Sequence, residues 1–145
     1  YADGNGGIIS VDACSLRHLI ARQIPCGKPM YVSPEVVSQE KGFDGFAVDL
    51  WSAGVILFMM LTGRPAWEYP YPGDAQYSLI VGGSLELVVK AFHVDLSVEA
   101  VDLLQSMLQE DPRKRFSMAQ ILQHPWIHNQ DDIVLPPAPS EEWRL

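Results

Sequence analysis

A few groups of residues in this chain have types and spacings that could do chemistry. Near the start, Asp3-Gly4-Asn5-Gly6-Gly7-Ile8 lies on the frame of a twelve-residue calcium loop. Asp3, Asn5, Gly6 and Ile8 take its third, fifth, sixth and eighth places, and Asp12 its last. That frame needs a carboxylate in first place and a bidentate Glu in last. Tyr1 and Asp12 stand there, so the stretch reads as a flexible Gly/Asn-rich loop. Cys14 and Cys26 lack the second pair that zinc requires and read as free thiols in a reducing compartment. His93, His124 and His128 read as capping or packing residues rather than metal ligands. No residue qualifies as a metal ligand, and none is nominated as catalytic.

The charged residues of most interest are Glu35, Asp49 and Arg115. Asp49 lies near the start of Ala47–Leu61, AVDLWSAGVILFMML, around which the chain is organised. This run predicts one helix of about four turns, with no polar side chain after Ser52 and so no face left for water. Such a helix belongs in the middle of a larger core. Asp49 interrupts it early, it falls short of the ~20 residues a membrane span needs, and Gly63-Arg64-Pro65 ends it. A carboxylate at the edge of an apolar helix must find donors, because unpaired burial is costly. Asp49 is therefore expected to anchor another backbone segment, or to complement the helix dipole.

Composition narrows the function classes. A chain of 145 residues, 48% of them hydrophobic, is one domain or part of one with a substantial core. A net charge of −8 with no basic stripe argues against nucleic acid as a partner. No signal peptide is visible, and an opening without Met in a Gly-rich loop reads as a fragment.

The elements that must position these residues follow in order. Residues 1–25 read as a loop with one strand, Gly7–Val11. Ser33 is a candidate cap, with Pro34 at the first position, for a short helix from Pro34 to Ser38. Gly42 to Phe46 reads as a turn. Thr62 to Gly73 is an ordered loop in which Trp67, Tyr69 and Tyr71 are packing residues. Asp74 caps a helix over Ala75–Val81, Gly82-Gly83 breaks it, and Ser84 caps another with Leu85, Val88, Val89 and Phe92 on one face. Ser97 opens the clearest amphipathic helix, in which Ala100, Leu103, Leu104, Met107 and Leu108 recur at three and four. Asp111-Pro112 stops it. Ser117 and Gln120 form a capping box for a last short helix, closed by His124-Pro125-Trp126. Residues 128–145 form an acidic, Pro-rich flexible tail. No strand is expected after Val11, and the fold class is mainly α.

Several of these pieces together resemble a known family. Ser33-Pro34-Glu35 resembles the Ala-Pro-Glu that ends the activation segment of protein kinases. Asp49-Leu50-Trp51-Ser52-Ala53-Gly54 resembles the Asp-x-Trp-Ser-x-Gly opening of that family's central helix. Asp111-Pro112-Arg113-Lys114-Arg115 is similar to its Asp-Pro-x-x-Arg turn, and His124-Pro125-Trp126 to its usual terminator. Four such matches, in order and at the right separations, identify residues 26–127 as part of the helical C-terminal lobe of a serine/threonine kinase. The last two helices are similar in style to those of the calcium/calmodulin-dependent group. Residues 1–25 then resemble the tail of an activation loop.

The resemblance implies a set of roles. Gly27, Lys28, Pro29, Met30 and Tyr31 become the substrate-facing loop. Glu35 and Arg115 become a structural ion pair, with a carboxylate oxygen within about 3 Å of a guanidinium nitrogen. Asp49 becomes an anchor for the catalytic loop. Lys28 stands where the family's serine/threonine members carry Thr, and Ile24 stands at the usual phosphorylation position. The Gly-rich loop, the strand lysine with its helix glutamate, the catalytic-loop aspartate and asparagine, and the metal-binding Asp-Phe-Gly do not occur in these residues. Val11-Asp12-Ala13-Cys14 matches the last only superficially. ATP and magnesium are expected for the complete kinase and no cofactor for this chain. The implied partners are a protein substrate and the missing N-terminal part of the kinase domain, without nucleic acid or membrane, in an intracellular, cytoplasmic setting. The alternative is a catalytically dead kinase-like protein-interaction module.

Overall fold

A computed structural model describes the backbone at residues 2–3, 6–12, 15–18, 20, 28–38 and 42–128, and side chains at 20, 28–38 and 42–128. The expectations for Cys14, Ile24, Cys26, Gly27 and the tail after 128 lie outside these residues. Within the described residues the chain is mainly helical, as its pattern predicts.

Three strands come first: β1 (Ala2–Asp3), β2 (Gly6–Asp12) and β3 (Ser15–His18), antiparallel and in that spatial order. The register pairs Asp3 with Gly6 and Ile8 with His18, with an irregularity between Ser10 and Asp12. Two expectations are corrected here. A strand follows Val11, and Asp3 and Asp12 belong to a ladder rather than to a flexible loop imitating a calcium site. A strand needs partners for its backbone groups, and Ser15–His18 has too little alternation to announce itself as one. Farther on, Ile20 and Phe43 exchange backbone bonds of 2.8 and 3.1 Å. A Cβ on Gly45 would lie 2.7 Å from Ile20 Cδ1, so the bare glycine lets Ile20 sit at the start of the central helix.

Helix α1 (Pro34–Ser38) is short. Helix α2 (Gly45–Thr62) begins two residues before the expected Ala47. The cause is Asp44, whose carboxylate accepts from the Phe46 N–H at 3.0 Å, so the expected turn is already helix. Gly63 ends α2 in the left-handed region, φ 68°, where its N–H reaches the Met59 carbonyl at 2.9 Å. Leu50, Trp51, Gly54, Val55 and Phe58 are buried, but Phe46, Ile56 and Met60 are 65%, 48% and 76% exposed. One face of α2 therefore meets water. Positions 46, 49, 53, 56 and 60 recur at three and four, so they share one side, and each of them is exposed.

The remaining helices wrap the other side of α2. They are α3 (Ala75–Val81), α4 (Leu85–Ala91), α5 (Val98–Met107), α6 (Met118–Leu122) and α7 (Pro125–His128). Asp74 and Ser97 cap α3 and α5 as expected, and Ser117 with Gln120 completes the capping box. Ser84 does not cap α4. Its backbone is not extended, and the Gln105 side-chain carbonyl takes the Leu85 N–H instead, at 3.2 Å. The Gln105 amide also donates to the Ile80 carbonyl at 2.7 Å, so one side chain serves the end of α3 and the start of α4. His124-Pro125-Trp126 opens α7 rather than simply closing α6. His124 Nδ1 accepts the Trp126 N–H at 3.2 Å, and Pro125 sits where no donor is needed.

Helix α5 divides the core. Leu104 joins Trp51, Phe58, Trp67, Tyr77, Ile80 and Leu85 in the larger cluster. Leu103 and Met107 join Leu50 and Ile121 in a smaller one, against which Phe116 and Trp126 pack. The helices approach closely at Gly54, where a Cβ would lie 3.0 Å from Leu108 Cδ2.

Candidate functional site

Residues Pro29–Tyr31 form one 3-10 turn, held partly by its own backbone and partly by side chains from outside it. The Tyr31 N–H donates to the Lys28 carbonyl at 3.1 Å, and the Val32 N–H to that of Pro29 at 3.0 Å. The next two carbonyls are taken from outside the turn. The Trp67 indole N–H donates to Met30 O at 2.9 Å, and the Ser52 hydroxyl to Tyr31 O at 3.0 Å. Lys28 and Pro29 remain exposed, while Met30 and Tyr31 are half-buried against the larger core cluster.

Four residues farther along, Glu35 meets Arg115 across 80 positions of sequence. Its two oxygens accept from Nη1 at 2.8 Å and Nη2 at 3.0 Å, the paired geometry that suits a guanidinium. The same Arg115 donates to the Ala47 carbonyl at 2.6 Å and, through Nε and Nη2, to that of Gln109. Its guanidinium carbon also lies 4.9 Å from the Trp51 ring centroid. Trp51 in turn stacks on Trp67 at 5.3 Å, and the edge of Tyr77 meets Trp67 at 5.3 Å. The loop and Glu35 are thus both tied to one row of aromatic rings.

Two polar groups in this region have no hydrogen-bond partner among the described residues: Ser33 Oγ and Trp51 Nε1, both fully buried. Ser33 serves α1 through its backbone carbonyl, which accepts from Val36 and Val37, and not through the expected hydroxyl cap.

Electrostatics stiffen the surroundings. Burial, and then a 3.0 Å bond to Glu110, push the Tyr77 phenol far above its usual range, so it stays a neutral donor. Burial raises Asp74, but the N–H groups of Tyr77, Glu68, Tyr69 and Gln76 outweigh it and hold the carboxyl below its ordinary value. These N–H groups fasten the loop that carries Trp67 to the start of α3. Tyr69 and Tyr71, expected to pack, are exposed. Among the described residues, no cluster of three or more His, Cys, Asp or Glu side chains could hold a metal. No step of phosphoryl transfer is assigned to the described residues.

The structure brings Glu35 and Arg115 together and sets Lys28, Pro29, Met30 and Tyr31 in one turn. It leaves Asp49 exposed on α2, with no side-chain hydrogen bond or ion pair among the described residues. Sequence reasoning passed over Ser52 and treated Trp67 as packing alone. One signal was available for Trp67: a buried indole N–H usually finds a partner, and a tryptophan in a Pro-rich loop must find it outside a helix.

Comparison with known proteins agrees with this architecture. The family model for the protein kinase domain matches residues 13–127. The chain belongs to the protein kinase domain family. Serine/threonine-protein kinase DCLK3 of Mus musculus is 43% identical over 103 residues, covering 70% of this chain and 13% of that protein. Serine/threonine-protein kinase STK11 of Gallus gallus is 39% identical over 126 residues, covering 81% of this chain and 27% of its own length. The chain therefore spans roughly an eighth to a quarter of these relatives. It carries part of a protein kinase domain, corresponding to helices of the C-terminal lobe.

Proposed function

We propose that this chain supplies the substrate-facing loop and core helices of a protein serine/threonine kinase. In the complete protein the γ-phosphoryl group of ATP, with magnesium, passes to a Ser or Thr hydroxyl of a protein and leaves ADP. The observation that supports this most is the clamping of four consecutive carbonyls, Lys28 to Tyr31, in a chain that matches the kinase family. A rigid turn with Lys28 and Pro29 outward is what presenting a substrate residue requires.

In this reading, residues 1–25 are the activation-loop-like segment, 26–127 the partial kinase domain and 128–145 a tail. The Glu35–Arg115 pair holds the end of the activation segment on the core. Asp49 and the bare side of α2 face the rest of the kinase domain, where Asp49 accepts from the catalytic loop. The setting is intracellular and cytoplasmic, with a protein as substrate.

The test uses the complete protein, purified free of other kinases, with magnesium, labelled ATP and a peptide substrate. Transfer to Ser or Thr, changed severalfold by Lys28→Thr, is expected. A complete protein that binds partners but transfers no phosphate would replace this reading with a kinase-like interaction module.

A further inference from the structure

The Met30 carbonyl and the Tyr31 N–H belong to one peptide plane. That plane is pinned on both edges, by Trp67 Nε1 on the oxygen at 2.9 Å and by the Lys28 carbonyl on the N–H at 3.1 Å. The next plane, joining Tyr31 to Val32, is pinned in the same way by the Ser52 hydroxyl and the Pro29 carbonyl. A peptide plane held at both edges cannot rotate without breaking a bond, so the orientation of the turn depends on these two donors.

Trp67 is suited to the task because its own ring is immobile. It is 1% exposed, stacked on Trp51 with an interplanar angle of 29° and met edge-on by Tyr77 at 79°. The backbone just after it is held by Asp74, through the N–H groups of Glu68 and Tyr69. A phenylalanine here would keep an aromatic ring between Trp51 and Tyr77 but would leave Met30 O without its donor.

We propose that Trp67 is a positioning residue for substrate selection: through its indole N–H it fixes the Met30–Tyr31 peptide, and so how the loop meets the substrate residue that follows the phosphoacceptor. The proposal rests on the kinase reading of residues 27–31. It goes beyond that reading in assigning the discrimination to a side chain 37 residues away in sequence.

The experiment has two arms. In the 145-residue chain, amide exchange is followed in the wild type, Trp67→Phe and Ser52→Ala. Losing one neutral hydrogen bond is expected to speed exchange at Tyr31 and Val32 about five-fold, while Leu104 in α5 stays unchanged. In the complete kinase, Trp67→Phe is expected to raise KM for peptide several-fold, leave KM for ATP unchanged and flatten the preference at the position after the phosphoacceptor. Unchanged exchange at Tyr31 and Val32 in Trp67→Phe would overturn the proposal. So would equal acceleration at Leu104, which would mean that Trp67 acts only by packing. Faster local exchange with an unaltered peptide preference would overturn the link to substrate. A wild-type complete protein without activity would sink the kinase reading instead, and the exchange arm would still decide whether Trp67 holds the loop.

Discussion

Arg115 grips Glu35 with two bonds of 2.8 and 3.0 Å, and the side chains are only 1% and 15% exposed. The pair is therefore largely dry, and removing one partner leaves the other charge buried. We expect Glu35→Gln to cost about 3 kcal/mol, the lower end of the range for buried pairs. The Ala47 and Gln109 carbonyls and the Trp51 ring still attend the guanidinium, which sets the lower end. Arg115→Lys should cost as much or more, because an ammonium cannot serve both Glu35 oxygens and two backbone carbonyls at once. Urea denaturation of the three proteins checks this. Losses near 1 kcal/mol, the size seen for wet pairs, would contradict a dry site.

Ser33 offers the opposite case, a substitution expected to help. Its hydroxyl is 0% exposed and has no hydrogen-bond partner among the described residues. A buried hydroxyl left unpaired costs about 1–3 kcal/mol. Ser33→Ala removes it without opening a large cavity, so a gain of about 1 kcal/mol is expected. A loss of stability in the denaturation midpoint would show that the hydroxyl has a partner.

Asp74 links the Trp67 loop to pH. Its carboxyl is held below the usual value of about 3.9 in the folded state. A depressed carboxylate stabilises fully above that unfolded value, and the contribution is lost as pH falls through the lower folded value. Asp74→Ala should lose about 1 kcal/mol at neutral pH through the missing cap. The gap between wild type and variant should close as the pH drops from 5 towards 2. Midpoints measured across that range that stay parallel would count against the carboxylate as the cause.

The bare side of α2 predicts poor solution behaviour. Ile56 and Met60, four residues apart on one side of α2, expose apolar surface. The 145-residue chain is expected to self-associate and to bind a hydrophobic dye. Ile56→Lys with Met60→Lys should reduce both several-fold and leave the buried Trp51 side intact. Sedimentation and dye fluorescence measure it; a well-behaved monomer that ignores the dye would refute the expectation.

Much of this was legible in the sequence because it is local. Capping depends on residues three apart, so Asp74, Ser97 and the Ser117–Gln120 box announce their helices. The apolar spacing of Ala100, Leu103, Leu104 and Met107 likewise marks the buried side of α5. The ordered matches at Ser33–Glu35, Asp49–Gly54 and Asp111–Arg115 carried the kinase resemblance, because motifs persist in sequence even where their contacts are distant.

Tertiary structure alone decided what depends on partners remote in the chain. Composition reads α2 as apolar all round, yet only packing determines which side is covered, and among the described residues Ile56 and Met60 are not. Ser84 has the right type to cap α4, but its backbone turns away and Gln105, 20 residues from Leu85, takes the role. β3 exists because β2 offers it a ladder, which no local propensity of Ser15–His18 encodes. Trp67 looks like any packing tryptophan until the fold sets its N–H against Met30 O. A hydrogen bond needs an ångström-level meeting of two atoms, and over 37 residues only the folded chain arranges that.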